Sequence, residues 1–153
     1  MRLTPEAHDN LQEFFRIHYG DAGLVLPKID WQKGTAAQGV TRGFRITAMT
    51  LGRRVLVDAK ALRCDTDGRW WIKSRLAAHE ATHVLQYQRQ GWGGFLFRYL
   101  SEYAQTMQQA ARRGWDSQTH ATAYNALSAE REARELEAAY RLWRGHDEEE
   151  LLP

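Results

Sequence analysis

Hydrophobic and polar residues follow one another along this chain in three different rhythms. Thr4-Pro5-Glu6 has the form of a helix start, with Thr4 as N-cap and Pro5 at the first helical position, and Leu11, Phe14, Phe15 and Ile17 then supply a short apolar face that Gly20 ends. Residues 24–43 contain Pro27, Gly34 and Gly39 and show no period, which predicts an irregular loop anchored by Trp31. From residue 44 the period becomes two. Phe44, Ile46 and Ala48 alternate with Arg45, Thr47 and Met49, Leu51-Gly52-Arg53-Arg54 can turn, and Val55-Leu56-Val57 return, so residues 44–58 predict a β-hairpin. Residues 59–68 read as a connection that turns at Asp65-Thr66-Asp67-Gly68.

The third rhythm is helical. Residues 70–90 contain neither Gly nor Pro, and Leu76, Ala77, Ala78, Val84 and Leu85 fit a largely buried helix that Gly91 stops. After a bend at Gly91-Trp92-Gly93-Gly94, a helix over residues 95–113 carries Leu96, Tyr99, Leu100, Tyr103 and Met107. Asp116 or Ser117 can cap a last helix that runs to Arg144 and stops at Gly145; its Ala126, Ala129, Ala133, Leu136, Tyr140 and Trp143 form a core-facing stripe. These elements predict a single α+β domain over residues 1–153, mainly helical, with a small sheet (the hairpin) before the 70–90 helix. Residues 1–40 supply its N-terminal helix and loop, and residues 145–153 a solvated tail made acidic by Asp147-Glu148-Glu149-Glu150.

Composition narrows the function classes. Lys and Arg number 21 against 19 Asp and Glu and are spread along the chain, which argues against a nucleic-acid partner. Cys64 is the only cysteine, so neither an intrachain disulfide nor a cysteine zinc site can form. No apolar run is long enough to span a membrane. Residues 1–10 contain Glu6 and Asp9 and no apolar signal core, which predicts a cytoplasmic chain, with delivery by a dedicated export machine compatible with the same sequence.

The chemistry concentrates at His79-Glu80-Ala81-Thr82-His83. On a helix, His79 and His83 stand one above the other, and two neutral imidazoles at that spacing can share one Zn²⁺. Glu80 is rotated away from the ligand face and can act as general base toward a metal-activated water. A third ligand must come from elsewhere, and the last helix offers Glu130, Glu132, Glu135 and Glu137. Glu130 and Glu132 flank the small-residue stripe and both stay open on geometry, whereas Glu135 and Glu137 fit a solvated face with neighbouring arginines. Tyr103, His120 and Tyr124 are candidate donors to a developing oxyanion, and spacing selects none of them.

Ala48-Met49-Thr50-Leu51-Gly52-Arg53-Arg54-Val55-Leu56-Val57, followed by Arg75-Leu76-Ala77-Ala78-His79-Glu80-Ala81-Thr82-His83-Val84-Leu85-Gln86, resembles the metallopeptidase-like family called DUF4157. Residues 90–100 and 124–134 look like compact bacterial gluzincins, in which a helix of the form Y-x-x-x-P-x-E-x-E-A follows the metal helix. The resemblance covers residues 40–140 and implies a zincin-like fold and a zinc metallopeptidase acting on a protein or peptide. It also implies Glu130 as third ligand, three residues before Ala133, with Ser128 standing where the look-alikes have Pro. Zincin architecture further implies a sheet edge above the metal cleft for the substrate, and Val55, Leu56 and Val57 are the expected edge. The competing expectation is a degenerate zincin that serves a secretion or toxin system as a binding or structural module.

Overall fold

The computed structural model describes residues 1–44, 46–111, 127–145 and 149–152. Helix α1, Pro5–Tyr19, begins and ends at its predicted signals. The Thr4 hydroxyl accepts the Ala7 amide at 3.3 Å, and Gly20 takes the left-handed conformation (φ 63°) that closes the helix. Ala7, Leu11, Phe14 and Phe15 face the core, whereas Ile17 is exposed because it falls off the stripe those residues define.

Three strands form the first sheet: β1 (Asp30–Gln32), β2 (Ala48–Leu51) and β3 (Arg54–Val57), in the order β1-β3-β2. β2 and β3 are the expected hairpin, antiparallel with Ala48 opposite Val57, and Gly52 turns it at φ 65°. β1 joins β3 in parallel, Trp31 opposite Val55, and α2 (Thr35–Phe44) follows it. The loop expected over residues 24–43 is thus partly ordered into a strand and a helix. A three-residue strand that pairs in parallel with a partner far along the chain leaves no alternation to read. Trp31 is fully buried in β1 and anchors this region.

This topology corrects the expected substrate edge. β3 lies between β1 and β2, so the backbone of Val55 and Leu56 is already paired on both sides, Val57 is paired with Ala48 of β2, and the Val55 and Val57 side chains are core. Among the described residues β2, on its outer side, is the open edge nearest the His-Glu motif.

A second sheet was not predicted. After a 3₁₀ turn at Ala59–Ala61, β4 (Leu62–Cys64) pairs antiparallel with β5 (Trp70–Lys73), which pairs in turn with β6 (Glu149–Leu152). The Asp65 carboxylate closes the β4–β5 turn by accepting the Asp67 and Arg69 amides at 3.0 and 2.8 Å and the Trp71 indole N–H at 2.9 Å. The acidic end of the chain is therefore not wholly a solvated tail. Its backbone completes a sheet from residue 149, a role that side-chain charge does not forecast; His146, Asp147 and Glu148 lie outside the described residues.

β5 runs straight into α3, Ser74–Ala111, which is helical throughout except at Gly91 (φ 71°, ψ 166°). The ligand helix thus starts at Ser74, and the second helix resumes at once after Gly91 instead of after a four-residue bend. Helix α4, Ser128–Arg144, ends at Gly145 in the left-handed conformation. Its expected start at Asp116 or Ser117 and the stripe residue Ala126 lie outside the described residues. Ala133, Leu136 and Tyr140 of the predicted stripe are buried, while Trp143 is exposed.

Phe14 and Phe15 of α1, Val55 and Val57 of β3, Ile72 of β5, Ala77, Ala78, Ala81 and Leu85 of α3, and Leu136 and Tyr140 of α4 meet in one core. The result is a small α+β domain, mainly helical. The alanines let α3 lie against its neighbours, and Phe14 meets Tyr140 edge-on with ring centroids 5.0 Å apart, joining α1 to α4. No helix among the described residues is long and apolar enough to cross a membrane.

The hairpin turn is fixed against α3. A Cβ on Gly52 would stand 2.7 Å from the Trp92 indole nitrogen, in a conformation that L side chains rarely adopt. Gly52→Ala is expected to lower unfolding stability by about 1–2 kcal/mol, read as a fall in urea midpoint with unchanged slope.

Candidate metal centre

Three donors converge between α3 and α4. His79 and His83 lie one turn apart on α3 with ring centroids 5.0 Å apart, and Glu130 enters from the first turn of α4. His79 Nε2 is 3.5 Å from Glu130 Oε2, and His83 Nε2 is 3.4 Å from Glu130 Oε1. The three ligand atoms lie within 4.8 Å of one another, and Glu130 is 2% exposed. A charge-assisted N–H···O hydrogen bond closes to about 2.7–2.9 Å. Two ligands of one tetrahedral zinc, each about 2.0–2.1 Å from the ion, stand about 3.3 Å apart. The observed separations are longer than such a hydrogen bond and close to the spacing of two ligands of one ion, and the donor set of two imidazoles and one carboxylate suits zinc.

The other ring nitrogens settle the tautomers. His79 Nδ1 lies 3.1 Å from Glu137 Oε2, and a carboxylate only accepts, so Nδ1 carries the hydrogen. His83 Nδ1 lies 2.8 Å from Gln86 Oε1. The Gln86 amide nitrogen donates to Glu132 Oε2 at 2.8 Å and to the Ala129 carbonyl at 3.1 Å, which fixes its oxygen toward His83. Both imidazoles therefore donate through Nδ1 and turn Nε2 toward Glu130. Such partners hold metal-binding imidazoles in orientation and raise their basicity.

Glu80 is 4% exposed and reaches the hairpin instead of Glu130: the Thr50 hydroxyl donates to its Oε2 at 2.6 Å. The strand pair and the ligand helix are thus joined at the expected general base. Phe95 and Tyr87, with ring centroids 4.0 Å apart, continue the wall past His83, and the Tyr99 hydroxyl stands 3.5 Å from Glu130 Oε1. Of the expected oxyanion donors, His120 and Tyr124 lie outside the described residues, and Tyr103 sits one turn beyond Tyr99 on α3.

The structure brings His79, His83 and Glu130 together and leaves Val55, Leu56 and Val57 in the sheet interior. Glu132, the rival third ligand, lies behind Gln86 instead of at the centre. Glu137, expected on a solvated face, is the His79 partner and is also 4.0 Å from Arg75. Both supporting residues had readable signals: Gln86 follows His83 by three positions, and Glu137 follows Glu130 by seven, two helical turns along the same face. Ser128, which departs from the look-alikes' Pro, has a use for its amide. Its N–H and hydroxyl donate to the two Glu102 oxygens at 2.8 and 2.7 Å, an anion at the α4 N-terminus that a proline could not hold by its nitrogen.

Charge follows from this packing. Burial opposes charging of either imidazole, yet the Glu130, Glu137 and Glu80 carboxylates outweigh it and push His79 up from 6.5 to about 10; Glu130 and Glu80 push His83 up likewise. In the metal-free protein a proton raised above its unfolded-state affinity stabilises the fold fully below pH 6.5, and that contribution drains away as pH climbs toward 10. Chelator-stripped protein is therefore expected to melt at falling temperature across that window. A zinc ion held by these imidazoles would have to displace the same protons, so zinc affinity is expected to rise with pH, read by competition against a chelator.

Comparison with known proteins gives one family. The family described as the eCIS core domain matches residues 9–91, more than half of the chain, from α1 through His79, Glu80, His83 and Gln86 to the break in α3. The match stops short of Glu130. No curated protein matches the chain, and no solved structure does. The DUF4157 resemblance read from the hairpin and the His-Glu motif agrees with this family, and the chain belongs to the eCIS core domain family.

Proposed function

We propose that this chain is a metal-binding domain that serves an injection system of the secretion or toxin kind, with zinc held by His79, His83 and Glu130. Family membership supports the association. The observation that carries the metal reading is the convergence of two Nε2 atoms and one buried carboxylate at 3.4 and 3.5 Å, with each imidazole held from behind. Two measurements test it. Protein purified without added metal should contain about one zinc per chain, and no zinc, even after adding it back, overturns the metal reading. Mass spectrometry of purified injection particles from the source cells should find the chain, and its absence from particles overturns the association.

A second reading, peptide-bond hydrolysis, is favoured by Glu80. A site that only stiffens the fold needs no buried carboxylate beside its ligands. Zinc bound there would supply a Lewis acid toward a carbonyl and lower the pKa of a water. Glu80, held at Oε2 by Thr50, has Oε1 to accept a proton and return it to a leaving amine. An extended peptide would pair along β2, the strand that carries Thr50.

A further inference from the structure

Behind His83 the polar contacts continue as a chain that runs out to α1. His83 donates to Gln86, Gln86 donates to Glu132 Oε2, and the Tyr19 hydroxyl donates to Glu132 Oε1, each at 2.8 Å. Tyr19 is the last residue of α1 and lies 113 positions from Glu132 in the sequence. Its ring is held in place by Arg89 of the ligand helix, 3.8 Å from the ring centroid, and it stacks with Phe15 at an interplanar angle of 16°. Burial and the Glu132 carboxylate keep the phenol protonated, well above its ordinary value.

This chain has a single consistent arrangement. Glu132 only accepts, and each of its oxygens takes a different donor. Turning the Gln86 amide over would break its bonds to Glu132, Ala129 and His83 together. The α1 terminus and the His83 imidazole are thus linked by three consecutive hydrogen bonds.

We propose that Tyr19 and Glu132 are positioning residues of the metal centre, fixing His83 through Gln86 so that docking of α1 and occupancy of the site are energetically coupled. The proposal rests on the zinc reading above. Coupling is reciprocal: docked α1 tightens the metal, and bound metal tightens α1.

The test is a double-mutant cycle on zinc affinity, by competition with a chelator, in full-length protein. Tyr19→Phe keeps the ring and its stacking on Phe15 and removes the hydroxyl, which donates to Glu132 and also meets the Arg89 side chain. It should weaken zinc about 5–10-fold, and Gln86→Leu about 10–100-fold. In the Gln86→Leu background, Tyr19→Phe should change affinity less than about twofold, because the link is already cut. Zinc should also slow amide exchange in the last turn of α1 in the wild type and not in Tyr19→Phe. Unchanged affinity in Tyr19→Phe, or the same loss in both backgrounds, overturns the coupling while leaving the zinc site standing. A wild type that binds no zinc overturns both.

Discussion

Glu130→Ala should leave a folded protein that has lost its zinc. The carboxylate is buried between two imidazoles and supplies the one ligand that α4 contributes, so its removal leaves two nitrogens on one helix face. Losing a ligand should exceed the roughly 10–100-fold loss of affinity typical of outer partners, and at micromolar protein the zinc content should fall close to zero. Glu132→Ala is the contrast: it should keep one zinc per chain at lower affinity, since among the described residues Glu132 reaches the centre through Gln86. Metal analysis after dialysis, with circular dichroism to check folding, reads both variants. Zinc retained in Glu130→Ala would move the centre elsewhere.

Glu80→Gln should keep zinc and lose hydrolysis. The amide nearly matches the carboxylate in shape and can still accept from Thr50, so the ligand helix should stay in place. It cannot take a proton, and positioned acid–base groups of this kind contribute about 10²–10⁴-fold to rate. The assay is cleavage of a mixed peptide library by zinc-loaded wild type and variant, read by mass spectrometry. Cleavage by the wild type that disappears in Glu80→Gln supports a peptidase. A zinc-loaded wild type that cleaves nothing leaves the binding module, and equal cleavage by both proteins removes Glu80 from the chemistry.

The parts of this site that could be read in advance were the local ones. His79, Glu80 and His83 are fixed by helical spacing alone, and α1 was legible because Thr4, Pro5 and Gly20 mark its ends with backbone chemistry. Glu130 needed the family resemblance, since Glu132 fits the same helix equally well until α4 is docked and each carboxylate shows its direction. Sheet membership was least legible. β1 has three residues and a distant parallel partner, β5 passes into α3 with no Gly or Pro at Lys73-Ser74, and β6 is recruited by its backbone from an acidic segment. Short strands carry too little alternation to register, and nothing in a strand's own residues names its neighbour. That is also why β3 could be taken for an edge.

The pairing of β6 with β5 has a practical side. An experimenter who reads the acidic end as dispensable and cuts the chain after Gly145 would strip one flank of β5 along Trp70–Lys73. Bare strand flanks recruit other chains, and this one bears two tryptophans and an isoleucine. The shortened protein should elute partly as soluble aggregate, and its disorder would begin one residue ahead of the helix that carries His79 and His83. Poor metal loading in such a preparation would then report on solubility, not on the ligands.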